Sequence, residues 1–170
     1  MISAIAPKNV FTEVNSTTLD VRSSGISNTE QLLLCALANS FVFDWLLRHR
    51  VSSTLNMFYV YQCPMPRLRL ADAGAPEILH LAAHLTCTSP DFADLGQGAP
   101  GTPWPSEGAI DPAEHALLRA ELDARIAHLY GLDEAELRHV LATFPVVGEG
   151  VKAGVVEWFG RVGRVFGPGI

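Results

Sequence analysis

The chain is poor in cysteine, and the few it has are not arranged for cross-linking. Three occur in 170 residues, Cys35, Cys63 and Cys87. Their odd number and the lack of any CxxC exclude a disulfide framework and a zinc ribbon, so they read as reduced, buried thiols. None of the 11 prolines is adjacent to another. No apolar run reaches the roughly 18 residues a membrane span needs. The opening "MISAIAPKNV" lacks a basic stretch followed by an apolar core and a small-residue cleavage site. The expectation is a cytoplasmic chain with no membrane partner. Charged residues make up only 18%, whereas 48% are hydrophobic, which excludes wholesale disorder and allows one domain with a real core. No internal repeat is present.

The net charge of −6 argues against nucleic acid when taken alone, but it is unevenly spread. Residues 1–70 hold six basic and four acidic side chains, a balance of +2. Residues 71–170 hold six basic and fourteen acidic, a balance of −8. Any capacity for anions belongs to the first part.

Along the chain, "MISAIA", "NVFTEV" and "TTLDVR" are short, β-rich and separated by turn signals, so strands are expected there. The strongest helix runs from Asn28 to about His49, with Asn28 as cap and Gln31 three residues on. Its body, "LLLCALANSFVFDWLL", is apolar nearly all round and should be buried on most sides. "VSSTL" after Arg50 favours an extended strand. "NMFYVYQC" can continue it, or Asn56 can cap a short helical turn. Pro64 and Pro66 force an extended exit.

A linking helix covers about Pro76 to Thr88 within residues 71–88, and a Pro/Gly-rich linker covers residues 89–110. Residues 111–147 read as a helical hairpin. Asp111 caps its first helix with Pro112 in the first turn, Gly131 ends it, and Asp133 with Glu136 opens the second. Residues 148–170 form a Gly-rich apolar tail. The fold class expected from this pattern is α+β, a small sheet braced by a buried helix and followed by a helical C-terminal region.

Chemistry-bearing clusters are few. His80, His84 and Cys87 fall at i, i+4 and i+7, a spacing that can place three metal ligands on one side of a helix. A closed zinc site needs a fourth ligand, and none is supplied nearby. Side chains packed on a helix are the better account, so no metal site is assigned. The glycines of "GRVGRVFGPG" follow no strand and open no helix, which rules against a nucleotide loop. Asp133, Glu134 and Glu136 suit a helix start. "VKAGVVEWFGRVGRVF" has the anchors of a membrane-surface helix, but its glycines and few basic residues favour packing on the body or disorder. No nucleophile–histidine–acid arrangement is legible, and no catalytic residue is assigned.

Four pieces occur in a particular order: "AIAPKNVFTEVNS", "LLLCALANSFVFDWLLRHRV", "SSTLNMFYVYQCPMPRL" and "LRAELDARIAHLYGLDEAELRHVLATFP". Together they resemble the C-terminal target-recognition region of type IIG and phage-defence adenine-specific DNA methyltransferases. The middle two also resemble a recognition domain of type I specificity subunits. The resemblance covers about Ile2 to Pro145 and implies recognition of double-stranded DNA in partnership with a methyltransferase catalytic domain or subunit.

It also implies a site. Lys8, Arg48 and Arg50 would contact phosphates, and Ser52, Ser53, Thr54 and Asn56 would supply hydroxyls and an amide near the bases. The [DNS]PP[YFW] tetrapeptide that holds the target adenine in that family is missing, as is a glycine loop for S-adenosylmethionine. The chain is therefore expected to carry no cofactor and no methyl transfer of its own, S-adenosylmethionine belonging to the parent enzyme. The rival readings are a protein-interaction or scaffold module and a remnant gene fragment.

Overall fold

A computed structural model describes residues 3–6, 25–51, 55–69, 71–97 and 108–163. Among the described residues the regular elements are helices and there is no strand. The expected α+β class is thereby corrected, since among the described residues no sheet braces the buried helix. Ser3 to Ala6 lie along the helix at Asn39, where the Ser3 amide donates to Asn39 Oδ1 at 2.9 Å. The β-rich segments beyond residue 6 and residues 52–54 lie outside the described residues.

The apolar stretch after residue 27 forms two helices, not one. Helix α1 covers Asn28–Asn39 and α2 covers Phe41–Arg48, with a 62° bend between them. Ser27, one residue earlier than expected, caps α1 in a capping box with Glu30. The break is made by Ser40, which is 1% exposed and extended. Its Oγ donates to the Leu37 carbonyl at 2.8 Å and accepts from the Phe43 amide at 3.2 Å. One hydroxyl thus serves groups that both helix ends would leave unpaired.

A short helix α3, Met57–Tyr61, follows. Helix α4 is Ala75–Thr86, introduced by Gly74 at φ +81°. A 3-10 turn at Pro90–Phe92 leads into α5, Ala93–Gly96. Helix α6, Pro112–Leu129, is capped by Asp111, whose carboxylate accepts from the Ala113 and Glu114 amides. Gly131, at φ +79°, ends it: its amide reaches the His128 carbonyl and the Leu132 amide reaches Ala127, a Schellman arrangement. Helix α7, Glu134–Ala142, has the expected Asp133–Glu136 capping box. Helix α8, Glu149–Val162, lies in the Gly-rich segment and buries Val155 and Phe159.

Three apolar clusters tie these together. The first joins Leu32 and Leu37 of α1 to Ile78 and Leu79 of α4 and Ile126 of α6. The second packs Val42, Ala120, Ala124, Leu137, Val155 and Phe159. The third sets Phe43 and Leu47 against Cys63, with Leu55, Tyr59 and Val60 closing over them. The buried helix pair is therefore braced by α4, α6 and α7, which take the place expected of a sheet. Among the described residues no single helix is long and apolar enough to cross a membrane.

At the α1–α2 break a half-buried ion pair on α6 reaches across to the ends of both helices. Asp123, 3% exposed, accepts from the Phe41 amide at 3.0 Å and from Arg119 Nε at 3.1 Å. Arg119 also donates to the Asn39 carbonyl at 2.7 Å. Burial pushes the Asp123 carboxyl above its usual range, while the guanidinium and the Phe41 amide pull the other way.

Candidate nucleic-acid interface

The corner between α2 and α3 holds three of the residues expected to meet DNA, and the structure gives them unequal roles. Arg48 stands in the last turn of α2, where a cation complements the helix dipole. Its guanidinium pairs with Asp44 at 2.9 Å and lies 4.5 Å from the Phe144 ring centroid. Arg50 donates to the Leu46 carbonyl at 3.1 Å and is exposed, with no acidic partner among the described residues. Asn56 is a cap: its Oδ1 accepts from the Phe58 amide at 3.0 Å and starts α3. Lys8, Ser52, Ser53 and Thr54 lie outside the described residues.

Helix α3 has two kinds of aromatic residue. Tyr59 and Val60 pack inward on the cluster around Phe43 and Leu47. Phe58 and Tyr61, three apart and so on one face, are 65% and 76% exposed. Cys63 closes this end, and burial pushes its thiol up, with the Arg50 charge opposing. The chain then leaves past Pro64 with residues 64–69 in no regular element, and the Pro64 carbonyl accepts from the Tyr130 hydroxyl at 3.0 Å. Burial pushes that hydroxyl up, and the neighbouring Cys63 adds to the shift.

Along the exit, Leu68 turns toward the first cluster, and Arg67 and Arg69 on either side of it are exposed. Arg69 also lines a cleft of about 300 Å³ with Ser27, Thr29 and Glu30 at the start of α1.

The charge bookkeeping isolates this region. Nine lysines and arginines lie among the described residues. Six are ion-paired: Arg48, Arg119, Arg125, Arg138, Lys152 and Arg161. The three with no side-chain ion pair among the described residues are Arg50, Arg67 and Arg69, although the Arg69 amide donates to the Asp72 carboxylate at 2.7 Å. No Asp or Glu occurs anywhere from Trp45 to Arg69. Sequence reasoning left Arg67, Arg69, Phe58 and Tyr61 out of the site. The acid-free stretch was the signal that pointed to the arginines. The exposure of the two aromatics depends on which face of a five-residue helix turns inward.

The histidine cluster on α4 is laid out differently. The His80 and His84 rings lie 4.3 Å apart and tilted, while Cys87 is 2% exposed and its thiol is pushed up by burial. Gly108 packs so tightly over the Cys87 carbonyl that a Cβ there would clash. Among the described residues no group of three or more His, Cys, Asp or Glu side chains is placed to hold a metal ion. Comparison with family models, curated proteins and solved structures finds no match to this chain.

Proposed function

We propose that this chain is a non-catalytic DNA-recognition piece serving the methyl-transferring part of an adenine-specific restriction–modification enzyme. Its DNA-facing side is the α2–α3 corner and the exit to Arg69. One observation carries the reading: the described cations without a side-chain ion pair all fall between Arg50 and Arg69, within an acid-free stretch of a chain whose net charge is −6. An unneutralised guanidinium suits a phosphate, and a local cationic strip can engage DNA despite an acidic remainder. The order of the four sequence pieces supports the choice of enzyme class. The absent tetrapeptide and glycine loop leave methyl transfer to another domain or subunit.

The test is anisotropy of a labelled duplex with the full chain at two salt concentrations. Arg50→Ala, Arg67→Ala and Arg69→Ala should each weaken binding to any sequence and lower the salt slope by about one unit. Unchanged affinity and slope in all three would reject the reading. A second reading, a protein-interaction module, is favoured by Leu117, Val146 and Val151, which are 61%, 90% and 48% exposed in the acidic part. Under that reading Leu117→Asp abolishes partner capture and leaves DNA untouched.

A further inference from the structure

We infer that the α3 turn is a stacking platform for unpaired DNA bases, with Phe58 and Tyr61 taking base faces and Arg50, Arg67 and Arg69 following the phosphates. This rests on the reading above that the chain binds DNA, and it names the form of DNA the corner takes.

Three features favour a single strand over a duplex. Phe58 and Tyr61 expose most of their ring surface from one face of α3, while Tyr59 and Val60 between them hold the turn to the core. Exposed rings beside unpaired cations are the two components by which proteins hold single strands, since every base has a π-face and every nucleotide a charge. Bases inside a duplex are stacked on one another and offer only their edges. Helix α3 has five residues, so it is about 7.5 Å long, too short to lie along a major groove as a reading helix.

The cations are laid out for a backbone. Val51, next to Arg50, packs in the same apolar cluster as Cys63 and Tyr59, which sets Arg50 near the end of α3. From Cys63 the exit carries Arg67 and Arg69 over at most about 20 Å, a path that spans several nucleotides. No Asp or Glu occurs in that stretch of sequence, and the Asp72 carboxylate just beyond it accepts from the Arg69 amide at 2.7 Å. The Asn56 cap and the Tyr130–Pro64 hydrogen bond fix the two ends of this segment, so the rings are held without being covered.

The experiment uses the full chain with a fluorescein-labelled thymine oligonucleotide and, separately, a duplex of equal length. The double variant Phe58→Ala/Tyr61→Ala should weaken the oligonucleotide at least about tenfold, as expected for lost stacking, and the duplex less than about twofold. Phe58→Tyr/Tyr61→Phe should restore single-strand binding. Both pairs of positions are exposed, so circular dichroism should be unchanged. Duplex binding that depends on the arginines, with oligonucleotide affinity indifferent to the aromatic pair, overturns this inference and leaves the DNA reading intact. Loss of capture of a methyltransferase catalytic domain, with both nucleic-acid affinities unchanged, assigns the rings to a protein partner instead. Failure of the chain to bind either probe overturns both readings.

Discussion

Two corners of the molecule use polar groups in opposite ways. At the α1–α2 break, the Ser40 hydroxyl serves the Leu37 carbonyl and the Phe43 amide, while Asp123 takes the Phe41 amide and Arg119 the Asn39 carbonyl. At the α2–α3 corner, Arg50 satisfies a helix carbonyl but keeps its charge exposed, and Phe58 and Tyr61 stand out from the surface. The first corner is built to be closed, because a buried group left without a partner costs stability. The second holds surface that folding leaves exposed. That difference is why the second is the side proposed for binding.

The strongest check compares the same side chain in the two settings. Phe43 is 0% exposed and Phe58 is 65% exposed. Phe43→Ala should lower the unfolding free energy by about 3–5 kcal/mol, through lost burial and the cavity left behind. Phe58→Ala should change it by no more than about 0.5 kcal/mol. Urea midpoints measure both, and similar losses would erase the distinction between the corners.

Next comes the clamp. Asp123→Ala removes the acceptor for the Phe41 amide and the partner of Arg119, and should cost about 2–3 kcal/mol. That is below the roughly 3–5 of a fully buried pair, since Arg119 is 41% exposed and can turn to water. The carboxyl also gives a pH signature. Its folded pKa is raised by burial, against the pull of Arg119 and the Phe41 amide, so the folded state holds this proton more tightly than the unfolded chain. The stability it contributes is fully present below the unfolded value of about 4 and is lost as pH rises through the folded pKa. Wild type minus Asp123→Asn should therefore fall as pH increases from about 4. A difference that grows instead would mean that the ion pair outweighs burial.

Local signals were legible in the sequence, and tertiary ones were not. Asp111, Pro112, Gly131 and Asp133 act within a turn of themselves, and the structure places each as a cap or terminator where the spelling puts it. Ser40 reads as one polar residue in an apolar helix. The break is also held by Asp123, which accepts from the Phe41 amide 82 positions away, a contact no local pattern reveals. The expected sheet failed for a related reason. Among the described residues the apolar faces of α1 and α2 find α4, α6 and α7 to pack against, a tertiary outcome that local strand propensity does not reveal. In the candidate site, charge was legible and pairing was not, so Arg48 was ranked with Arg50 although Asp44 already holds it.

Asn56 lies between the two corners in effect. Expected both as a candidate cap of a short turn and as a contact to bases, it caps α3, and Asn56→Ala should cost up to about 1 kcal/mol, with Asn56→Gly costing only a few tenths. A change in DNA site preference without a shift in thermal midpoint would restore its expected role at the bases.

The smallest effect tests the end of the chain farthest in sequence from either corner. Helix α8 carries glycines that weaken any isolated helix, yet it buries Val155 and Phe159, and His128 stacks on Phe159 with ring centroids 3.7 Å apart. Packing must therefore offset poor propensity. Gly160 is exposed, and a Cβ built there meets nothing within 4 Å. Glycine inside a helix costs about 0.5–1 kcal/mol relative to alanine, so Gly160→Ala should stabilise the protein by that amount. At Gly154 an added Cβ would lie 3.7 Å from the Ala120 Cβ, an ordinary contact, and Gly154→Ala should gain similarly. Gly163 is the control: at φ +61° it sits where L residues are strained, so Gly163→Ala should lose stability. Gains at 154 and 160 with a loss at 163 fix α8 as a packed helix ending at Gly163. Three flat results would mean that the segment is not held in this conformation in solution, and the second apolar cluster would lose its outer wall.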